Sequence, residues 1–371
     1  MSALCLTLAE GSLSTLNEKI RHYAGRPAFI ETRLDYLSDP EQLPDLPATS
    51  TRFIATCRPV DEGGRFAGPE AERLQILERA ADVGFAWVDL ERTAVSDLPS
   101  RTHISVVRSH HDFSGCPEDL SGLFAAMRRL PGRAVKIAVT PADSDDSARL
   151  LRWMETLPKD VPRVILGMGR EGQPTRVLAP LLGSLWTYVV EDVRRTVAPG
   201  QFTLGQAVEV LRFEVWQKQG RWPAWYGVLT QTDLCFALCA VLNRLFDDHG
   251  LEAAGLPLAV GEATTWLDYL CDSPLRFHGL AVSNTPAHAR VAGGSSPGRG
   301  ADLLRRDNGL WQDRDMAVGP ELPERIDGST SGDWARWLAA AFEFWTGLRA
   351  DEGLLRARLE ESNEEGNGLG S

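Results

Sequence analysis

Residues 1–218 alternate between short apolar runs and amphipathic stretches. The apolar runs lie at 4–8, 28–34, 52–57, 85–90, 103–108, 134–139, 163–166 and 185–190, each of strand length. Between most of them apolar residues recur every three to four positions, as at 69–83, 120–130, 144–157 and 205–217, which predicts helices. The connection after Leu90 is short and gives no clear helix. Eight strands alternating with helices in about 218 residues predict an α/β chain with a closed parallel (β/α)8 barrel of the TIM type. An open doubly wound sheet is the competing arrangement.

The pattern changes near Lys218-Gln219-Gly220-Arg221-Trp222-Pro223. A smaller α/β unit over 224–359 follows, with strands at 225–229 and 278–283, a helix over 233–248, a Gly/Ser/Pro-rich loop over 293–300 and a last helix over 334–359. Trp334, Trp337, Phe342, Phe344 and Trp345 on that helix read as core packing before they read as an interface. The tail, 360–371, is acidic and Gly-rich and is expected to be disordered.

Composition narrows the function. The formal net charge of -12 argues against nucleic acid or an anionic membrane as partner. No apolar run reaches membrane-spanning length, and no basic stretch precedes an apolar signal core at the start, so a cytoplasmic protein is expected. The six cysteines are scattered, and Cys235 and Cys239 sit in an apolar helical stretch; no metal site is expected. Lysine is rare: Lys19, Lys136, Lys159 and Lys218 are the whole set.

The polar residues at the carboxyl ends of the strands are the candidate chemistry, because a barrel of this kind carries its site there. They are Glu31, Arg33 and Asp35; Arg58 with Glu62; Asp89 and Glu91; His110 and His111; Lys136; Thr175 and Arg176; and Gln201. Lys136 is flanked by Ala134, Val135, Ile137 and Ala138, so it is expected to be dry, with a neutral amine favoured and able to act as a nucleophile. A lysine snorkelling to water is the plain alternative. Either His110 or His111 can carry a proton, and strand alternation sends the two to opposite faces. Glu62 can orient that histidine or stand as a solvated loop carboxylate. Gly167-Met168-Gly169-Arg170-Glu171-Gly172 matches a dinucleotide-binding pattern but follows the seventh strand rather than opening an open sheet, so no nicotinamide site is expected there.

Taken together, Glu31-x-Arg33-x-Asp35, Thr56-Cys57-Arg58-Pro59 with Glu62-Gly63-Gly64, Ser109-His110-His111-Asp112-Phe113, Lys136-Ile137-Ala138, Met168-Gly169 through Thr175-Arg176, and Ala198-Pro199-Gly200-Gln201 resemble the type I 3-dehydroquinate dehydratase family over residues 4–217. The resemblance implies a hydro-lyase of the shikimate pathway, with a covalent imine on Lys136 and no diffusible cofactor. It implies His111 as general acid and base, Glu62 as its carboxylate partner and Arg176 as the clamp on the substrate carboxylate. Glu31, Arg33, Arg58 and Gln201 would bind the rest of 3-dehydroquinate, and a homodimer is compatible with it. Val197 departs from the family's usual Ser, with Thr196 beside it, and Thr175 stands where Ser is usual. A Schiff-base aldolase of other specificity and an inactive scaffold protein are the competing functions.

The second unit resembles a shikimate dehydrogenase substrate domain at Tyr226-Gly227-Val228-Leu229, at Phe277-His278-Gly279-Leu280-Ala281-Val282-Ser283 and at Phe342-Glu343-Phe344-Trp345-Thr346-Gly347. By that resemblance it is degenerate. Phe236 and Leu238 stand at the substrate-binding serines, no lysine follows Lys218, and about 20 residues separate Asp315 from Trp334, too few for a nicotinamide-binding domain.

Overall fold

The computed structural model describes residues 3–94, 104–195, 200–219, 221–230, 234–261, 263–285, 300–307, 310–316 and 330–368. They form two compact units, Met1–Ala142 with Trp153–Ala207, and Asp143–Arg152 with Val208–Ser371.

The first elements in chain order are β1 (Ala3–Leu8), α1 (Leu13–Tyr23), β2 (Phe29–Arg33), β3 (Arg52–Thr56), α2 (Glu70–Asp82), β4 (Trp87–Glu91), β5 (Ser105–Asp112), α3 (Leu120–Met127), β6 (Ala134–Val139), α4 (Ser144–Glu155), β7 (Arg163–Gly167), α5 (Gln173–Leu178), β8 (Trp186–Val190) and β9 (Phe202–Thr203). A short capped turn, α6 (Leu204–Gln206), and α7 (Phe213–Gln219) follow. The eight expected strands are present. From β1 to β7 hydrogen-bonded neighbours follow chain order, all parallel, and β8 pairs with β1 on its other side. At the seam Leu185 N donates to Arg163 O at 2.7 Å, so the sheet curls round as a (β/α)8 barrel and not as an open doubly wound sheet. Residues 95–103, the short connection after β4, lie outside the described residues.

Both faces of these strands are buried, which is why they read as near-continuous apolar runs. The inward face changes character along each strand. Toward the amino ends it is apolar: Cys5, Phe29, Ile54, Trp87, Val107, Ala134, Val164 and Trp186 form one cluster. Within it the Trp186 ring lies 4.8 Å from Phe29 and 5.6 Å from Trp87. Toward the carboxyl ends it turns polar: Thr7, Glu31, Thr56, Asp89, Ser109 and Lys136, then Arg33, Arg58, Glu91 and His111. An aromatic floor thus underlies a polar layer.

The second unit holds a five-stranded sheet in the order β11-β10-β12-β13-β14. Its elements are β10 (Ala224–Thr230), α8 (Leu234–Asp248), β11 (Ala253–Ala259), α9 (Ala263–Asp272), β12 (Gly279–Thr285), β13 (Gly300–Asp307), β14 (Leu310–Met316), α10 (Ser331–Thr346) and α11 (Glu352–Gly368). β10 lies parallel to β11 and β12, while β13 and β14 are antiparallel additions. Tyr226, Phe246, Phe342 and Trp345 stack in its core, with ring centroids 4.7 to 5.8 Å apart. Trp334, Trp337, Phe342 and Trp345 are core residues as expected, and Phe344 is half-buried.

Three expectations need correction. The boundary falls before α7 and not at residue 218: Phe213 packs on Trp222 and Trp225, and Asn243 Nδ2 donates to Val210 O at 2.9 Å, so 208–219 belongs with the second unit. The single helix expected over 334–359 is two, because Gly347 takes a left-handed φ of 73° that ends α10. The tail expected to be disordered from 360 is helical to Gly368, anchored by the buried Leu355 and Leu359 of α11; residues 369–371 lie outside the described ones.

Candidate active site

Backbone register decides which side chains meet. Ser109 pairs with Lys136 and His111 with Ala138, so all four share the inward face, while His110 pairs with Ile137 on the outward face. Of the two histidines, His111 is the one that faces the cavity. The mouth above the polar layer is a cavity lined by Glu31, Arg33, Arg58, Glu62, His111, Lys136, Arg176 and Gln201 together with Thr7, Phe113, Met168 and Tyr188. All eight site residues expected from the sequence therefore line one cavity.

Lys136 is 5% exposed, so the snorkelling alternative fails. Its surroundings are not the bare apolar pocket that its strand neighbours suggested. Nζ donates to Asp89 Oδ2 at 2.8 Å, stands 3.9 Å from Glu31 Oε1 and sits 4.6 Å from the centre of the Tyr188 ring. Glu31 is itself fixed by Thr7 and Thr56, whose hydroxyls donate to its two oxygens at 3.0 Å each. Burial alone would raise the Asp89 carboxyl; the Arg58 guanidinium and the Lys136 ammonium outweigh it and hold Asp89 ionised far below the usual carboxylate range. Arg58 Nη2 contacts Asp89 Oδ1 at 2.9 Å, and Ser109 Oγ donates to the same oxygen.

His111 Nδ1 stands between a cation and an anion. Arg58 Nη1 is 3.3 Å away and Glu62 Oε2 3.6 Å. Burial, then the charges of Arg58 and Lys136, push the imidazole well below its ordinary value, so it is a neutral base at neutral pH. Arginine only donates, so Nδ1 is the acceptor of the Arg58 contact, and Glu62 Oε2 lies beyond hydrogen-bond range of it. Thr93 Oγ1 donates to Glu62 Oε1 at 2.9 Å and fixes that carboxylate. Phe113 stacks on the imidazole at 6.1 Å and rests on Gly63, where an added Cβ would lie 2.4 Å from its ring.

Arg176 reaches the cavity from α5. It is buried, and burial lowers it to about 10, so it keeps its charge at neutral pH. The glycine-rich motif shapes this placement. An added Cβ on Gly172 would lie 2.3 Å from the carbonyl carbon of Gly167, and Thr175 Oγ1 accepts from Gly167 N at 2.7 Å while donating to Gly172 O at 2.5 Å. The turn closes on itself and aims α5. Thr175 supplies the hydroxyl that Ser supplies in the family pattern. Arg33 is held by Asp35 through two bonds of 2.9 and 2.7 Å, and lies over the Tyr36 ring at 4.8 Å. Thr196 and Val197 lie outside the described residues.

Thr7 and Tyr188 belong to this site yet were not singled out in the sequence, and Asp89, singled out there, was given no role. Asp89 with Glu91 was legible as a pair two apart at a strand end; Thr7 and Tyr188 look like any strand residue until the barrel closes. Among the described residues no group of acidic, histidine and cysteine side chains is arranged to hold a metal ion.

A sequence model of the type I 3-dehydroquinase family matches residues 4–215. The chain is 39% identical over 187 residues to a 3-dehydroquinate dehydratase of Methanothrix thermoacetophila, covering half of this chain and 80% of that protein. It is 32% identical over 199 residues to a bifunctional 3-dehydroquinate dehydratase/shikimate dehydrogenase, chloroplastic, of Arabidopsis thaliana, covering half of this chain and 32% of that one. A crystal structure of the type I 3-dehydroquinate dehydratase of Clostridium difficile, with covalently modified comenic acid, superposes with a TM-score of 0.51 at 21% identity, over 57% of this chain and 92% of that one, a likeness of fold.

Proposed function

The chain belongs to the type I 3-dehydroquinase family and is a 3-dehydroquinate dehydratase, a hydro-lyase of the shikimate pathway, and from that premise we propose that Lys136 is its covalent nucleophile and His111 its proton carrier. The observation that carries this reading is the meeting of Lys136, His111 and Arg176 on one buried cavity at the strand ends.

Lys136 attacks the ring ketone of 3-dehydroquinate and, with loss of water, forms an imine whose protonated form withdraws electrons from the neighbouring carbon. Neutral His111 takes the proton that Lys136 must give up and passes it to the departing carbinolamine hydroxyl, while ionised Asp89, at 2.8 Å, orients the amine. His111 takes the proton from that carbon, and the Glu62 carboxylate, 3.6 Å from Nδ1, steadies the imidazolium by its charge. His111 returns the proton to the departing hydroxyl, which leaves as water. A second water hydrolyses the imine and releases 3-dehydroshikimate, so the net change is loss of one water. Arg176 holds the substrate carboxylate in a planar two-point contact. Glu31, Arg33, Arg58 and Gln201 bind the remaining oxygens. No metal or diffusible cofactor takes part in any of these steps.

We further read residues 224–359 as a degenerate shikimate dehydrogenase-like substrate domain. The motif segments around Tyr226 and Phe277 fall on or beside the adjacent strands β10 and β12, and the Arabidopsis relative is named for both activities. Among the described residues no helix is long and apolar enough to cross a membrane.

The test is trapping. Borohydride added with dehydroquinate is expected to modify Lys136 and abolish turnover, and Lys136→Ala is expected to lose activity by about four orders of magnitude or more. A folded protein that turns over while Lys136 stays unmodified would sink the assignment.

A further inference from the structure

The ion pairs continue past the wall of the cavity. Arg73, on α2, is 1% exposed and does not line it. Its Nη1 donates to Glu91 Oε2 at 2.6 Å and to Cys57 O at 3.1 Å, and its Nε and Nη2 grip Glu70 at 2.6 and 2.7 Å. The other oxygen of Glu91 accepts from Arg58 Nη1 at 2.7 Å. Arg58 is the guanidinium that stands 3.3 Å from His111 Nδ1 and 2.9 Å from Asp89, the partner of Lys136. Charges therefore alternate along one line: Glu70, Arg73, Glu91, Arg58, Asp89, Lys136.

Stability alone does not call for this line. A buried ion pair seldom outperforms apolar residues of the same volume, and Arg73 lies among Leu74, Ile76 and Leu77 on the inner side of its helix. What Arg73 supplies is a second cation for Glu91. We propose that Arg73 is a positioning residue for the dehydration, fixing Arg58 through Glu91 against His111 and Asp89. This rests on the reading of His111 as the base.

The consequence of removing it can be signed. Burial pushes the Glu91 carboxyl upward, Arg58 opposes that, Asp89 adds to it, and Arg73 opposes it again. Arg108 donates to the Glu91 carbonyl at 3.3 Å and to Pro131 O at 2.7 Å, and its charge acts on Glu91 from farther off than Arg73 and Arg58. Without Arg73 the buried Oε2 has no cation, and Glu91 takes up a proton. Arg58 then keeps Asp89 as its one close anion, and more of its charge bears on the imidazole. The groups that face His111 are Arg58, Lys136, Asp89, Arg33 and Glu62. Arg58 is the one whose compensation changes, so the imidazole becomes a weaker base.

The experiment uses the full chain. For Arg73→Met, kcat is expected to fall about tenfold or more with KM within about threefold, and the acid limb of the kcat/KM profile to move to lower pH. Arg73→Lys restores the charge and is expected to return the limb to its wild-type position. Glu91→Gln neutralises the same carboxylate without a cavity and is expected to move the limb in the same direction, which keeps the test alive if Arg73→Met does not fold. An unmoved limb in Glu91→Gln or Arg73→Met, or an Arg73→Lys variant no closer to wild type than the methionine, overturns the proposal. A fault in the underlying reading shows elsewhere, as wild-type turnover in Lys136→Ala or His111→Ala.

Discussion

At the scale of the residue, His111, the proposed proton carrier, also bears on folding stability. Its imidazole is held well below 6.5 by burial and by Arg58 and Lys136. The unfolded chain binds a proton at this residue as pH falls through about 6.5, and the folded chain refuses it, so stability present above that pH is lost progressively below it. Asp89, held low in the fold, loses its contribution in the same direction at more acid pH. Urea melts at about pH 7 and about pH 5 are expected to show this loss, and His111→Asn is expected to flatten the slope between them; an equal slope in the variant would refute the link. The residue scale is also where the sequence was partly opaque. His110 and His111 are equivalent by composition, and only the register with Lys136 and Ala138 separates them. Lys136 looked apolar in its surroundings because its strand neighbours are, whereas the carboxylates that meet it come from β2 and β4.

At the scale of the element, the turn after β7 sets a substrate contact. Gly172→Ala would bring a methyl to 2.3 Å from the Gly167 carbonyl carbon, which forces the turn open and swings α5 with Arg176. KM for dehydroquinate is expected to rise by about tenfold or more, with a smaller change in kcat, because Arg176 holds a part of the substrate remote from the reacting carbon. Steady-state kinetics checks this, and an unchanged KM would separate the turn from binding. The barrel strands were legible because both their faces are buried and their runs are apolar. β11 was not, since Ala253-Ala254-Gly255-Leu256-Pro257-Leu258-Ala259 has little branched or aromatic character and carries a proline. β13 and β14 carry many charges, and it is antiparallel pairing, of β13 with β12 and of β14 with β13, that makes them strands.

At the scale of the whole molecule, chemistry is concentrated in the barrel. No lysine follows Lys218, and buried Phe236 and Leu238 of α8 stand where the resemblance calls for serines. The purified full chain is therefore expected to show no NADP-dependent oxidation of shikimate while it dehydrates dehydroquinate; a measurable rate of reduced nicotinamide formation would overturn the reading of the second unit as degenerate. The division of the chain was legible only in part: α7 groups with the second unit through its aromatic side chains, and Asp143–Arg152, most of α4, groups there as well.

The aromatic plug of Phe29, Trp87 and Trp186 has one more effect. It stops solvent from reaching Lys136 through the amino-terminal end of the barrel. The water that frees the product must then come down the shaft that the product climbs. Among the described residues, release and resupply share the carboxyl-end opening, and an adduct lodged there halts both.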